Sequence, residues 1–384
     1  MTIWLVEPHD SVIARDGRPF GADVGARAHS LSFVTPSMMA GAVRQRIGSD
    51  ARGVFVHQKP DELLQHAIRG PLLYELTAGL NTEKPWVMAP SDALLMGDGS
   101  TLHMRRLEPI ADARGCTNLP VKDPAHPAIA AEGLMPVGIS PRGNASDDRS
   151  KPNESDGIYW HWDFFAKWLS NPVDNSPVPP SAIMGALPRD VRTHVQIDAS
   201  TGTVGDEGGK LFSTQGLNFR RQGRRFGIGV DVSSEIPNQP MVGSLGGERR
   251  LVSWHLSEGK FPALSEDLVK TIVSRKHCRV ILLTPAYFTQ GWYPELLLAR
   301  NYNVQPTLLA AATGRAQILS GWDMAKGRPK PSTRYMGAGS VFYLKLAGSD
   351  ADITTWVNKV WFQNISDQEQ SQRDGFGLAV VGAW

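Results

Sequence analysis

The sequence has little cysteine, no long hydrophobic run and almost no net charge. Its two thiols, Cys116 and Cys278, are too few for a disulfide scaffold and too far apart for a C-x-x-C metal or redox site. No stretch approaches the roughly 18 apolar residues of a membrane-spanning helix. The polar residues Glu7, His9 and Asp10 do not fit the apolar stretch of a signal peptide. We therefore expect a cytoplasmic protein.

A large excess of charge of one sign is also missing, since the 40 Lys and Arg residues are nearly balanced by 38 Asp and Glu residues and the net charge is +2. This balance excludes a bulk polycation, although a local basic groove can exist within it. Apolar residues make up 41% of the chain and charged residues 20%, which is typical of a globular protein and excludes a mostly disordered one.

Motifs for catalysis and metal binding are missing as well. The chain contains no Gly-x-Ser-x-Gly, no His-Glu-x-x-His and no Walker loop, and its ten histidines have no metal-ligand spacing. The glycines between 223 and 229 fail the dinucleotide-binding pattern because Arg224 and Arg225 occupy the turn and a strand is predicted to follow. The sequence therefore predicts no enzyme, no catalytic residue, no metal site and no cofactor.

The chain does contain many turn residues, 38 Gly and 27 Pro, which favour loops that join short strands. Its 384 residues suit two domains, and each half is predicted to start with a strand, pass through a helix and end on a strand. This order predicts an α+β protein made of two ferredoxin-like domains with long loop insertions. The predicted domains are 1–235, with a loop-rich insertion over about 111–157, and 243–384, with a glycine-rich loop.

Local patterns predict individual elements. Thr35 as N-cap and Pro36 at the first helical position predict a helix through Arg46. Further helices are predicted over 159–169, 265–274 and 352–361, and a hairpin over 85–110. Strands are predicted over 2–6, 191–197, 210–219, 226–232, 251–256, 279–284, 314–321, 340–346 and 376–381. Residues 136–157 are predicted to be disordered or to fold only against a partner, because they offer nothing to bury.

The most informative feature is a set of four clusters in which basic residues stand beside glycine, in loops that border predicted strands. The clusters are 15–18 with Arg27, 220–225, 246–250, and 326–330 through 334–340. Such loops bring peptide N–H groups and arginine side chains close to a phosphate backbone, although a charged run is more often a solvated surface. Because phosphate contacts need donors from several loops, we expect these loops to converge on one groove, with Arg18, Arg249 and Arg334 on one face. The candidate RNA-binding residues are Arg15, Arg18, Ser37, Arg44, Arg221, Arg224, Gly246, Gly247, Arg249, Arg250, Lys330, Arg334, Gly337, Ala338, Gly339 and Ser340.

The glycine-rich loop at 337–340 is the sharpest of these candidates. It precedes a predicted strand and would let bare backbone approach a ligand, while the alternative is a β-bulge or a tight turn. On the first interpretation, Gly339→Asp abolishes RNA binding and leaves the thermal stability little changed. Aromatic residues such as Trp254, Trp292, Tyr293 and Trp322 could stack on unpaired bases or belong to the core.

Ten segments, taken in order over nearly the whole length, resemble the third subunit of the Cmr effector complex of type III-B CRISPR systems, in the RAMP superfamily. These segments are Arg15-Asp16-Gly17-Arg18-Pro19-Phe20, Thr35-Pro36-Ser37 with Gly41-Ala42-Val43-Arg44, Leu211-Phe212-Ser213-Thr214, Leu245-Gly246-Gly247-Glu248-Arg249-Arg250, Thr284-Pro285-Ala286, Gly291-Trp292-Tyr293-Pro294, Ser320-Gly321-Trp322-Asp323, Arg328-Pro329-Lys330-Pro331, Gly337-Ala338-Gly339-Ser340-Val341 and Gly375-Phe376-Gly377-Leu378.

The resemblance implies a non-catalytic, RNA-binding subunit with two ferredoxin-like domains. It implies binding of the 5′ repeat-derived handle of a CRISPR RNA, and docking on the large polymerase/cyclase-like subunit and on backbone RAMP subunits. Two alternatives remain open. One is a metal-independent CRISPR RNA-processing endoribonuclease of the same superfamily, with His9, His29 and Tyr335 as its candidate residues. The other is a scaffold that contacts only protein.

Overall fold

The computed structural model describes residues 2–18, 26–77, 84–98, 101–110, 134–139, 151–198, 200–204, 211–237, 241–323 and 327–384. Most of the predicted loop-rich insertion at 111–157, and of its predicted disordered part, lies outside these residues. Within it, Val137–Ile139 forms a strand, so the prediction of disorder is wrong for these three residues. They pair with the strand His103–Pro109, which satisfies backbone groups that the sequence pattern leaves without a partner.

The described residues form short helices and many strands. The helices are α1 (Pro36–Ile47), α2 (Trp162–Ser170), α3 (Glu266–Arg275), α4 (Glu295–Leu298), α5 (Asp350–Val360) and α6 (Glu369–Arg373). No helix in the described part of the chain is long and apolar enough to cross a membrane.

The strands are β1 (Thr2–Pro8), β2 (Arg27–Ala28), β3 (Ile68–Leu76), β4 (Pro85–Met88), β5 (Ala93–Met96), β6 (His103–Pro109), β7 (Val137–Ile139), β8 (Tyr159–His161), β9 (Ser176–Pro177), β10 (Ile183–Met184), β11 (Arg189–Val195), β12 (Leu211–Leu217) and β13 (Arg220–Arg221). They continue with β14 (Arg224–Val232), β15 (Val242–Leu245), β16 (Arg250–Ser257), β17 (His277–Leu282), β18 (Gln305–Ala312), β19 (Gln317–Leu319), β20 (Trp322–Asp323), β21 (Arg328–Pro329), β22 (Thr333–Tyr335), β23 (Val341–Ala347), β24 (Gln363–Asn364) and β25 (Leu378–Ala383). Strand pairs such as β1 with β14 and β17 with β23 are antiparallel, and β2 with β12 is parallel, which is consistent with the predicted α+β class.

The chain divides into two compact units, each built from three segments of sequence. Unit 1 comprises Met1–Thr82, Leu187–Gly259 and Ile318–Arg334, and unit 2 comprises Glu83–Ala186, Lys260–Gln317 and Tyr335–Trp384. Sequence analysis predicts two continuous domains, 1–235 and 243–384, and those boundaries stay a prediction.

Unit 1 contains the sheet order β3-β14-β1-β16-β15 and a separate three-stranded sheet, β11-β12-β2. Helix α1 begins at Thr35, whose side chain accepts a hydrogen bond from the Met38 amide, as the N-cap pattern predicts. Its buried residues Met39, Ala40 and Val43 form an apolar stripe, and the helix contacts β3 and β15.

Unit 2 contains the sheet order β18-β23-β17-β25-β24, with α3 against β17 and β25 and with α5 against β25. Ile353, Trp356 and Val357 are the buried face of α5. A fully buried ion pair joins Arg279 of β17 to Asp92, which also accepts a hydrogen bond from the Trp168 indole at 2.9 Å. Both charges thus have partners inside the unit, as buried charges require.

The four main strands are β1, β3, β14 and β16 in unit 1, and β17, β18, β23 and β25 in unit 2. When the strands of each unit are counted in chain order, both sheets have the spatial order second, third, first, fourth. The helix that follows the first strand is α1 in unit 1 and only the four-residue α4 in unit 2. The ferredoxin-like assignment of both units stays a prediction.

Three predicted elements differ in the structure. The strand predicted over 251–256 to begin the second half is β16, and it pairs with β1 in unit 1, where Val252 and Trp254 are buried. The helix predicted over 159–169 starts only at Trp162, because residues 159–161 form β8 and pair with β4. The first strand of the predicted hairpin is interrupted between β4 and β5, while β5 and β6 do pair around Gly97.

Candidate nucleic-acid interface

Three basic segments of unit 1 emerge at one end of its central sheet. Strand β1 ends at Pro8, which lies opposite Val252 near the start of β16. On its other side, Val6 lies opposite Ile228, midway along β14, so the end of β1 runs toward the start of β14. The loop after β1, the turn before β14 and the turn before β16 therefore lie at the same end of the sheet, because antiparallel neighbours place the end of one strand beside the start of the next.

Contacts between loops bring the segment after β1, the turn before β16 and the segment around β20 and β21 together near the N-terminus of α1. The Gly247 amide donates a hydrogen bond to the Ile13 carbonyl at 2.9 Å. A Cβ at Gly246 would lie 2.5 Å from that same oxygen, so the positive φ of Gly246 and its missing side chain both serve this contact. Gly17 lies against Ser332 in the same way, and Gly321 lies near Ser37. The structure thus brings together loops that carry Arg18, Arg249 and Lys330. That Arg334 lies on the same face as Arg18 and Arg249 stays a prediction.

Exposure and pairing separate the candidate cations into two groups. Arg249, Lys330 and Arg334 are exposed, and none has an acidic partner within the described ranges. An exposed, unpaired cation can accept a phosphate without first losing a carboxylate. These three residues are the best phosphate contacts among the candidates of unit 1.

Other candidate arginines are already engaged with carboxylates. Arg18 lies 3.4 Å from Asp16, Arg224 pairs with Glu75, and Arg250 pairs with both Asp10 and Glu248. Their charges are locally balanced, so a phosphate must compete with the carboxylate for the guanidinium.

The remaining candidate arginines of unit 1 differ in exposure. Arg15 is exposed and donates weakly to the Arg18 carbonyl at 3.4 Å, and Arg221 is half-buried at the β13–β14 turn. Arg44 is only 7% exposed, and its guanidinium donates to the carbonyls of Leu64 and His66. Arg44 is therefore not presented to a ligand at the surface.

Asp10 is a site residue that the sequence analysis missed. Its carboxylate accepts hydrogen bonds from Arg192 at 2.9 and 2.5 Å and from Arg250 at 2.6 Å. The hydrogen bond from Arg192 is the main reason that the pKa of Asp10 falls to about 2, and burial opposes that shift. These partners are 182 and 240 residues away in sequence, so no local pattern could have indicated the cluster.

The glycine-rich loop at 337–340 belongs to unit 2, where Gly337, Gly339 and Ser340 are buried and Ala338 is half-buried. Gly339 has a φ of +87°, donates its amide hydrogen to the Leu282 carbonyl and accepts from the Ser91 amide. A Cβ there would lie 2.4 Å from the Ala89 carbonyl oxygen. The expectation that Gly339→Asp leaves the stability little changed is therefore wrong, because the missing side chain is required by the fold of unit 2.

The candidate residues of the alternative endoribonuclease have ordinary partners. His9 Nε2 lies 2.6 Å from the Ser253 hydroxyl, and the His29 carbonyl accepts from the Asp16 amide. Tyr335 lies in unit 2, where burial raises its pKa to about 12 and its ring stacks on Phe376. The described residues contain no group of three His, Cys, Asp or Glu side chains that could hold a metal ion.

Comparison with known proteins identifies one family. Residues 4–384 match the sequence profile of the family described as CRISPR-associated protein (Cas_Cmr3). No curated protein matches the chain. Two chains from cryo-EM structures of the Type III-B Cmr-beta complex are similar, one bound to cognate target RNA and AMPPnP and one bound to cognate target RNA. Each is 15% identical over 89% of this chain and 86% of its own length, with TM-scores of 0.42 and 0.45.

Proposed function

The chain belongs to the Cas_Cmr3 family of CRISPR-associated proteins, which confirms the resemblance, and from this premise we propose that it is a non-catalytic subunit of a type III-B CRISPR effector complex. In this proposal it holds the 5′ repeat-derived handle of the CRISPR RNA in the cytoplasm and docks on the large polymerase/cyclase-like subunit and on backbone RAMP subunits. The observation that carries the RNA-binding part is the convergence of basic loops at one sheet end of unit 1.

The exposed cations at this sheet end suit a phosphate backbone. Arg249 extends from the turn before β16, and Lys330 follows β21 in the segment that lies near Ser37. Donors from separate loops fix the path of a strand better than donors from one loop, because each phosphate along the strand then meets its own partner. Such contacts are independent of sequence and sensitive to salt.

Trp322 adds a surface for a base. Its side chain is 56% exposed, whereas Trp254, another aromatic candidate, is buried in the sheet of unit 1. Trp322 lies opposite Pro329 in the β20–β21 pair, and Pro329 directly precedes Lys330 in the sequence. An unpaired base can stack on an exposed indole while its phosphate meets the neighbouring ammonium group.

Equilibrium binding of a repeat-derived RNA tests the proposal, measured by fluorescence anisotropy over a series of salt concentrations on the chain and on its reconstituted complex. Arg249→Ala and Lys330→Ala should each weaken binding and reduce the slope of log affinity against log salt by roughly 0.7–1. Trp322→Ala should weaken binding by about 1–3 kcal/mol and leave the slope unchanged, since stacking releases no counterions.

Arg52→Ala is the control, because Arg52 is an exposed cation, paired with Asp50, beyond the opposite end of α1. It should leave both affinity and slope unchanged. Equal losses in Arg52→Ala and Arg249→Ala would show that net charge alone matters and would contradict a defined RNA path. Discrete cleavage of the RNA that is lost in His29→Ala or His9→Ala would instead favour the processing endoribonuclease.

A further inference from the structure

Unit 2 contains a cavity of about 270 Å³ that is not part of the proposed RNA path. It is lined by Arg106, Glu108, Arg275 and Trp384. None of these residues belongs to the basic clusters of the sequence. The cavity is open to solvent on one side and lies just below the range of roughly 300–1,000 Å³ that holds drug-sized ligands. It has room for one planar base with the attached ribose phosphate at its open side, and it excludes a folded oligonucleotide.

The charged groups of the cavity favour an anion that also carries hydrogen-bond donors. A guanidinium nitrogen of Arg106 lies 3.3 Å from a carboxylate oxygen of Glu108, and the two side chains are only 15% and 12% exposed. Nε of Arg106 is buried and has no hydrogen-bond partner among the described residues. Arg275, in the last turn of α3, is exposed and has no acidic partner in the part of unit 2 that is described. The lining therefore offers one cation without a described acidic partner, Arg275, and one ion pair, Arg106 with Glu108, whose remaining N–H groups and oxygen lone pairs can meet a polar ligand.

Trp384 provides an aromatic wall whose orientation is fixed. Its ring meets His277 and Tyr343 edge to face, with centroid distances of 5.1 and 5.2 Å. The Tyr343 hydroxyl donates to the Leu107 carbonyl at 2.6 Å, which anchors the Tyr343 ring to the strand that carries Arg106 and Glu108. Tyr343 in turn limits how the Trp384 ring can move. A ring held in this way can stack on a planar base without losing further side-chain freedom.

Among the common bases, guanine matches these groups best. Its N1–H and N2–H donors are adjacent and can meet both oxygens of one carboxylate, whereas adenine presents an acceptor at N1. The O6 and N7 acceptors of guanine suit a guanidinium. A phosphate on the ribose would neutralise the remaining cation.

We propose that this cavity binds a guanine mononucleotide. Trp384 stacks on the base, Glu108 accepts from its N1–H and N2–H, and Arg106 both holds Glu108 and donates to the base. Arg275 binds the phosphate. The ligand can be a free nucleotide or a guanosine at the end of an RNA, since both present the same groups. This inference is independent of the proposed function, which concerns unit 1.

Isothermal titration calorimetry of the full chain with GMP, AMP and inorganic phosphate tests the proposal. We expect GMP to bind at least about tenfold more tightly than AMP. Glu108→Gln should bring the two affinities to within about threefold of each other. Arg275→Ala should weaken both nucleotides by a similar factor of about ten, and Arg300→Ala, which removes an exposed cation elsewhere in unit 2, should change neither.

Two short RNAs that differ only in a terminal guanosine or adenosine separate the sources. Binding of GMP supports a free nucleotide, and binding of the guanosine-ended RNA without GMP supports an RNA end. Equal affinities for GMP and AMP, or binding of phosphate alone, would overturn the proposal. Because Arg275 is exposed, Arg275→Ala should keep the wild-type melting temperature, and full affinity for GMP in that folded variant would also overturn it.

Discussion

Gly339 occupies a position where packing leaves no room for a side chain. Its backbone lies at a φ of +87° and close to the Ala89 carbonyl, so any Cβ both strains the backbone and collides with that oxygen. We expect Gly339→Ala to lower the free energy of unfolding by about 1–3 kcal/mol or more. Urea denaturation followed by circular dichroism measures this loss.

The control for this substitution is Gly314→Ala. A Cβ at Gly314 meets no atom within 4 Å, so the change should be close to neutral. If Gly339→Ala were equally neutral, the close approach of Ala89 would not contribute to stability. The glycine would then be available for the RNA contact that the sequence motif suggests.

Asp10 makes the stability of the chain depend on acid pH. Hydrogen bonds from Arg192 hold the folded pKa at about 2, below the ordinary value of 3.8. A carboxyl with a lowered folded pKa stabilises the fold above its unfolded pKa, and that contribution disappears as the pH falls through the folded pKa. The difference in unfolding free energy between wild type and Asp10→Asn should therefore be largest above pH 4 and vanish below pH 2.

Unfolding in urea at a series of pH values checks this expectation, with Asp61→Asn as control. Asp61 is exposed and has no cationic partner within the described residues, so its replacement should have a small effect at every pH. A pH-independent effect of Asp10→Asn would mean that its ion pairs do not stabilise the fold.

At the scale of elements, the sequence predicts segments whose signals are local. The N-cap and proline before α1 and the apolar run of β1 are such signals, and both elements form as predicted. Strand β3 was missed because its Gly-Pro pair at 70–71 is typical of a turn, although it pairs with β14. Strand β18 was missed because its buried residues include alanines, which have low strand propensity.

The N-caps of α1 and α3 provide a matched test of what a capping side chain contributes. The Thr35 hydroxyl accepts from the Met38 amide at 3.2 Å, whereas Ser265 makes no side-chain hydrogen bond at the start of α3. Thr35→Ala should lower the free energy of unfolding by about 1 kcal/mol, and Ser265→Ala should have little effect. Thermal melting of both variants measures the difference, and equal losses would contradict the cap geometry.

For the whole molecule, sequence motifs identified the basic loops but not their pairing state. Convergence around Ser37 depends on the register of β1 with β14 and β16, which joins residues more than 200 positions apart. The same register decides that Arg250 is paired with Asp10 while its neighbour Arg249 remains free of acidic partners in the described chain. Local spacing contains no information on such pairings, so the candidate list mixes accessible and engaged cations.

The assignment of β16 to unit 1 is testable by hydrogen exchange, because residues that unfold together exchange together. Val6 of β1 lies opposite Trp254 of β16, and Val380 of β25 lies opposite Ile281 of β17. Both valines are fully buried, so each change to alanine should cost about 2 kcal/mol.

We expect Val6→Ala to accelerate amide exchange in β14 and β16, and Val380→Ala to accelerate it in β17 and leave β16 unchanged. Mass spectrometry of peptides from 250–257 distinguishes the cases. Faster exchange there in Val380→Ala alone would place β16 with the second half, as the sequence order of the elements suggests.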